Sequence, residues 1–394
     1  MTIDHDPVLR ARAVLLGSGR PSRAELVGAY RVLAEVSPRA YRPRLVDALL
    51  ELRYDSRDPQ VDLALAAEAV RAARGTPAGE PNRAGRLRQA LDAHQASLFA
   101  LGRRAEGLAV CAELAEAGRS APLASALAEE GRFGEAAEVD EEAARTGNPD
   151  TSFWEAVRRA ANLEAAGRYD AASAVLGEHL RKTRRKTDGR RTLRAILTWE
   201  LVHLSRVREA AGDRAGAADA RREALGVLEQ LAATGEAGNP SCILSWWRSL
   251  FLLSGRAAEP APSRAAPMPP FGAEFGWSRQ AREGFLGMLP DLEAEAARLR
   301  EAGRLPELAD VRRRIVMRAA VREGDRPHRF GERFAPYFDE GVALARCLPG
   351  SPARLARALT DRAMFLVAAR TYAPAYADFA ERVALDAPAG GGFS

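Results

Sequence analysis

Sixteen residues from His179 to Arg194, HLRKTRRKTDGRRTLR, concentrate the most chemistry in the chain, with eight basic side chains and one acid. The basic residues are Arg181, Lys182, Arg184, Arg185, Lys186, Arg190, Arg191 and Arg194. A guanidinium grips a carboxylate or phosphate through two parallel hydrogen bonds, so the run reads as an anchor for an acidic partner. Positive charge is also favoured at a helix C-terminus, so it reads equally as a solvated helix end. No zinc finger or recognition-helix pattern accompanies it, which argues against base-specific reading of DNA.

Two other sets of residues invite a chemical reading. Trp246 and Trp247 are adjacent, and on a helix neighbouring side chains diverge by about 100°. The pair reads as core or interface, or as the lining of a groove. The histidines, His5, His94, His179, His203 and His328, form no HExxH, and there is no GxSxG elbow. The stretch LLGSGRPS lacks the lysine of a phosphate-binding loop. Cys111, Cys242 and Cys347 are too widely spaced for a metal pair or a disulfide framework, and Cys111 reads as a small buried apolar residue. The expectation is no catalytic residue, no metal and no cofactor.

The elements behind these residues are helical. Alanine and leucine dominate the apolar fraction, which is 47% of 394 residues, and aromatics are only 6%. This balance favours helix over sheet. The net charge of +5 is modest for the length and does not by itself imply nucleic acid. No apolar stretch approaches the roughly 20 residues needed to span a membrane, and a cytoplasmic location is expected.

Between Ala160 and Leu180, Leu163 precedes Gly167 by four residues, and Tyr169, Ala172, Leu176 and Leu180 follow at helical spacing. Glycine at that point ends one helix, and a loop of about two residues folds the next one back beside it. Alanines on the facing sides let the two backbones approach. The same device recurs at Gly102, Gly131, Gly212 and Gly303. The first four of these five glycines are 29, 36 and 45 residues apart, a loose period of helix–turn–helix size.

The segments AGRYDAA (Gly167, Tyr169, Ala172) and EGRFGEA (Gly131, Phe133, Ala136) resemble the second half of a tetratricopeptide repeat. Elsewhere the pattern is divergent: Arg214 fills the aromatic slot after Gly212, and Gly107 and Leu308 stand where alanine is usual. The resemblance covers roughly residues 80 to 235 and 290 to 325. It implies an all-α fold, a right-handed α-solenoid of antiparallel hairpins that binds protein or peptide on its concave side.

Four segments are expected: helical repeats over 1–254, a proline-rich linker or insertion over 255–276, further repeats over 277–388 and a tail over 389–394. The proline-rich segment also reads as a strap anchored by Phe271 and Phe275. Ser22 with Glu25, and Ser152 with Glu155, have capping-box spacing. The functional expectation is a non-enzymatic scaffold for a protein or peptide, acidic if the basic run is its anchor. A peptide-responsive regulator and an enzyme on a helical frame are the alternatives.

Overall fold

The computed structural model describes residues 5–17, 19–146, 153–187, 194–235, 243–271, 276–323, 330–348 and 350–386. Among them there are helices and no strand. The chain divides into two compact units, one of residues 1–126 with 145–147 and 278–280, the other of 127–144, 148–277 and 281–394.

The first unit holds α1 (His5–Leu16), α2 (Arg23–Val36), α3 (Pro38–Leu52), α4 (Pro59–Arg74), α5 (Arg83–Ala100) and α6 (Arg104–Glu116), each packed on the next. The capping box expected at Ser22 and Glu25 is formed and starts α2. Val46, Leu49, Ala66, Ala69 and Leu91 are fully enclosed in this unit. Cys111 on α6 is buried, as its apolar reading requires.

Helix α7 (Ala121–Glu129) leads into the second unit, which continues with α8 (Phe133–Thr146), α9 (Phe153–Ala165), α10 (Tyr169–Thr187), α11 (Arg194–Ala210) and α12 (Arg214–Thr234). After these come α13 (Ile243–Gly255), α14 (Arg279–Gly287), α15 (Leu289–Glu301), α16 (Leu305–Glu323), α17 (Phe330–Arg346), α18 (Pro352–Ala368) and α19 (Tyr372–Ala384). Ser152 lies outside the described residues, so only the helix start at Phe153 can be compared with the expected cap.

The turn glycines read from the sequence share one geometry. Gly102, Gly131, Gly167, Gly212 and Gly303 have φ of 70°, 79°, 75°, 83° and 64°. At Gly167 the glycine N–H donates to the Glu164 carbonyl and the next N–H, Arg168, to the Leu163 carbonyl. That pair of bonds closes a helix in the Schellman manner and needs a left-handed residue at its centre. The same pair recurs at the other four glycines. Between the helices sit alanines with no exposed surface, among them Ala136, Ala160, Ala172, Ala195, Ala217 and Ala224.

The last hairpin uses the same two bonds around Arg370, whose φ is 63°. From the sequence alone the last helix pair is expected to break at Tyr372 to Pro374, where a proline interrupts the pattern. The structure puts it two residues earlier, and Pro374 falls in the first turn of α19. Proline is tolerated there because the first N–H groups of a helix have no intrahelical acceptor. A second difference is α17: the stretch GDRPHRFGERFAPYFDEG is expected from its residues to be irregular at first, whereas the chain is helical from Phe330. Phe330, Phe334 and Phe338 recur every fourth residue and are all buried.

Packing in the second unit does not run only from one hairpin to the next. Helix α19 lies along α12, and α18 touches α11 and α13. The Trp199 indole on α11 donates to the Met364 carbonyl on α18 at 3.3 Å. Trp247, 1% exposed, is stacked on Phe251 and edge-on to Phe330, Phe334, Phe338 and Phe365.

The proline-rich segment makes one 3-10 turn, Arg256–Ala258, and continues without regular structure to Phe271. It is fastened at both ends within this unit. Glu259, with 1% of its side chain exposed, takes hydrogen bonds of 2.8 and 2.7 Å from Arg318, whose side chain is wholly buried. Arg318 also donates to the Phe285 carbonyl and lies 4.1 Å from the centre of that ring. Burial works against the Glu259 charge, but Arg318 and Arg314 overcome it and hold the carboxyl below its ordinary range. Further on, the Met268 N–H donates to the Glu129 carbonyl, and Phe271 is 2% exposed. Phe275, the other expected anchor, lies outside the described residues.

These geometries set the sign of four substitutions. Arg370→Gly removes a left-handed penalty of about 1 kcal/mol and raises the denaturant midpoint. Gly131→Ala lowers it, because a Cβ there meets the Pro262 carbonyl oxygen at 2.8 Å in addition to the strained φ. Glu259→Ala leaves Arg318 buried without its partner and costs about 3–5 kcal/mol. The double substitution Glu259→Leu with Arg318→Met recovers much of that loss in the same urea titration.

Candidate functional site

Helices α11, α12, α13, α16, α18 and α19 of the second unit enclose a cavity of about 470 Å³. That volume lies within the range of about 300–1,000 Å³ typical of ligand sites. Its apolar wall comes from Trp199, Trp247, Leu250, Phe251, Met364 and Phe379. Five arginines also line it, Arg206, Arg221, Arg313, Arg357 and Arg382, with the carboxylates Glu209, Asp361 and Asp386. Their presence here follows from helix periodicity: Trp199, Val202, His203 and Arg206 recur three and four residues apart and put one face of α11 on the cavity.

The arginines are held by pairing. Arg313 reaches Asp361 with two bonds of 2.6 and 3.0 Å and donates to the Ser254 hydroxyl at 2.7 Å. Beyond this pair lies a smaller cavity of about 50 Å³, lined by Tyr337, Phe338 and Glu340 and sharing Phe251, Arg313, Arg357 and Asp361 with the larger one. The ion pair therefore forms a bar between two compartments. Arg206 makes bonds of 2.6 and 2.7 Å to Glu164, whose carboxylate is also 3.6 Å from Arg256. Burial opposes the Glu164 charge, but Arg206 and Arg256 outweigh it and bring its pKa down.

His203 is enclosed on all sides. Its Nδ1 faces Arg206 Nη2 at 3.4 Å, so Nδ1 accepts and Nε2 carries the proton. Nε2 has no hydrogen-bond partner among the described residues. Burial and the neighbouring Arg206 depress its pKa to about 3, against a smaller opposing effect of Glu164. The imidazole is neutral at physiological pH. Beside it a space of about 10 Å³, lined by His179, Glu200 and His203, has room for about one water molecule.

The residues singled out by sequence are not gathered at this site. Arg181 and Arg185 on α10 are exposed. Lys182 pairs with Glu178 at 3.3 Å, Arg184 holds Glu223 with two bonds, and Arg194 donates to Thr234. None of these five lines the cavity. Arg190 and Arg191, and the side chain of Lys186, lie outside the described residues. Trp247 borders the cavity, whereas Trp246 turns to Trp154, their rings 5.7 Å apart. Sequence reasoning did not find Arg206, Arg221, Arg313, Arg382 or Asp386. In an arginine-rich chain nothing local separates them from surface arginines.

Among the described residues no cluster of three His, Cys, Asp or Glu side chains is placed to hold a metal ion, and no helix is long and apolar enough to cross a membrane. No protein-family profile matches the chain, and no curated protein is significantly similar to it.

The His203 environment predicts a pH effect of defined sign. The unfolded chain takes up a proton near pH 6.5 and the folded one only near pH 3, so acid favours unfolding in that window. Urea titrations between pH 6.5 and 5 lose up to about 1.4 kcal/mol per pH unit through this group. His203→Gln flattens that slope.

Proposed function

We propose that the chain is a non-enzymatic binding module, a divergent tetratricopeptide-like protein of right-handed hairpin stacking that captures a peptide or protein segment. Its large apolar side chains enter the cavity of the second unit. The observation that carries this reading is the combination of a large, mainly apolar cavity with a rim of ordered arginines and carboxylates. Apolar depth supplies affinity, and charges fixed by ion pairs supply register along an extended chain. The second compartment beyond the Arg313–Asp361 bar suits a smaller side chain further along the same segment. Cys111 and Cys347 form no disulfide among the described residues, which suits the reducing cytoplasm as the place of action.

The test is a blocked mouth. Ala353 is exposed and borders the cavity, so Ala353→Trp occludes it without disturbing the core. On an array of synthetic peptides carrying paired large apolar residues, the purified protein binds a subset, and the variant loses at least about tenfold in affinity for the same subset. Its circular dichroism is unchanged. Equal binding by the two proteins would place the segment elsewhere.

A further inference from the structure

Resting on the peptide reading of the same cavity, we infer that the Arg221–Arg382 pair is an anion subsite now filled by the chain's own Asp386, and that an acidic group of the bound peptide takes its place. Arg221 comes from α12 and Arg382 from α19, the two helices whose contact closes this side of the unit. Each arginine is 93% buried, its exposed fraction being 7%, and each borders the cavity.

A guanidinium has five N–H donors. Among the described residues these two make one aligned hydrogen bond each, Arg221 to Glu209 at 3.0 Å and Arg382 to Asp386 at 2.7 Å. Arg221 Nε stands 2.8 Å from the other Asp386 oxygen but has no aligned bond. Both acids are the more exposed partners: the side chain of Glu209 is 57% exposed and that of Asp386 is 32% exposed. Two buried cations thus share acceptors that sit toward solvent, and Arg221 Nε is buried without an aligned acceptor among the described residues.

A carboxylate arriving from the cavity side accepts two forked pairs of bonds, which is the arrangement guanidinium groups favour. Asp386 follows the last turn of α19 and is released to water at little cost, since its charge remains solvated. The peptide so selected carries an apolar anchor with a carboxylate beside it. That carboxylate is either an acidic side chain or the chain terminus.

Three probes separate the possibilities by quenching of tryptophan fluorescence, since Trp199 and Trp247 border the cavity. They are acetyl-Leu-Phe-Glu-amide, acetyl-Leu-Phe-Gln-amide and acetyl-Leu-Phe-Gln with a free terminus. The Glu peptide binding at least fivefold tighter than the Gln amide supports a side-chain carboxylate; the free-terminus peptide doing so supports a terminal one. In Asp386→Asn the preference for the favoured acid over the Gln amide grows by about five- to tenfold. Equal affinities for all three in the native chain overturn the anion subsite and leave the apolar cavity standing. Binding by none of them overturns the cavity reading and this inference together.

Discussion

The left-handed turn between helices is the constraint on which the remaining structure rests. Closing a helix with two bonds to its last carbonyls and starting the next within two residues leaves one solution, a pair of helices side by side. Small residues then decide how near the pair can come. At Gly131, Gly167 and Gly212 both conditions are met by sequence alone, and the facing alanines have no exposed surface. Ion pairs such as Arg103–Glu106, Arg132–Glu135 and Arg304–Glu307 decorate these turns on the outside. Exposed pairs of this kind contribute only about 0.2–1 kcal/mol, so they follow the turn and do not cause it.

Hairpins alone would leave apolar faces open. In the second unit they are closed by contacts distant in sequence: α19 on α12, the Trp199 indole on the α18 backbone, and the Glu259–Arg318 clamp on the proline-rich segment. The buried clamp is a different kind of device from the turn pairs. Both side chains are enclosed, so either charge alone would be costly, and Glu259 keeps its charge because Arg318 and Arg314 face it. The cavity lies where α11, α13 and α18 meet, and Trp199, Trp247, Phe251 and Met364 of these helices line it.

Much of the local architecture was legible in the sequence. The hairpin glycines, the capping box at Ser22 and the burial of Cys111 follow from backbone preference and periodicity, which act over a few residues. What was not legible depends on contact between remote helices. For α17 the four-residue recurrence of Phe330, Phe334 and Phe338 was available as a signal. The arginines of the cavity look like any others in the chain until α12, α16 and α19 come together. The basic run near residue 185, which stood out by density, covers the end of α10 and the start of α11, with Lys182 and Arg184 paired to acids and Arg194 bonded to a hydroxyl.

The central claim, that the cavity of the second unit receives a peptide, is tested most directly by fluorine resonance. The chain has five tryptophans, and uniform 5-fluorotryptophan labelling gives each one signal. On titration with acetyl-Leu-Phe-Glu-amide, the signals of Trp199 and Trp247 shift together and saturably, while that of Trp277 stays in place. Saturable shifts confined to Trp277, or binding that moves neither Trp199 nor Trp247, would contradict the account.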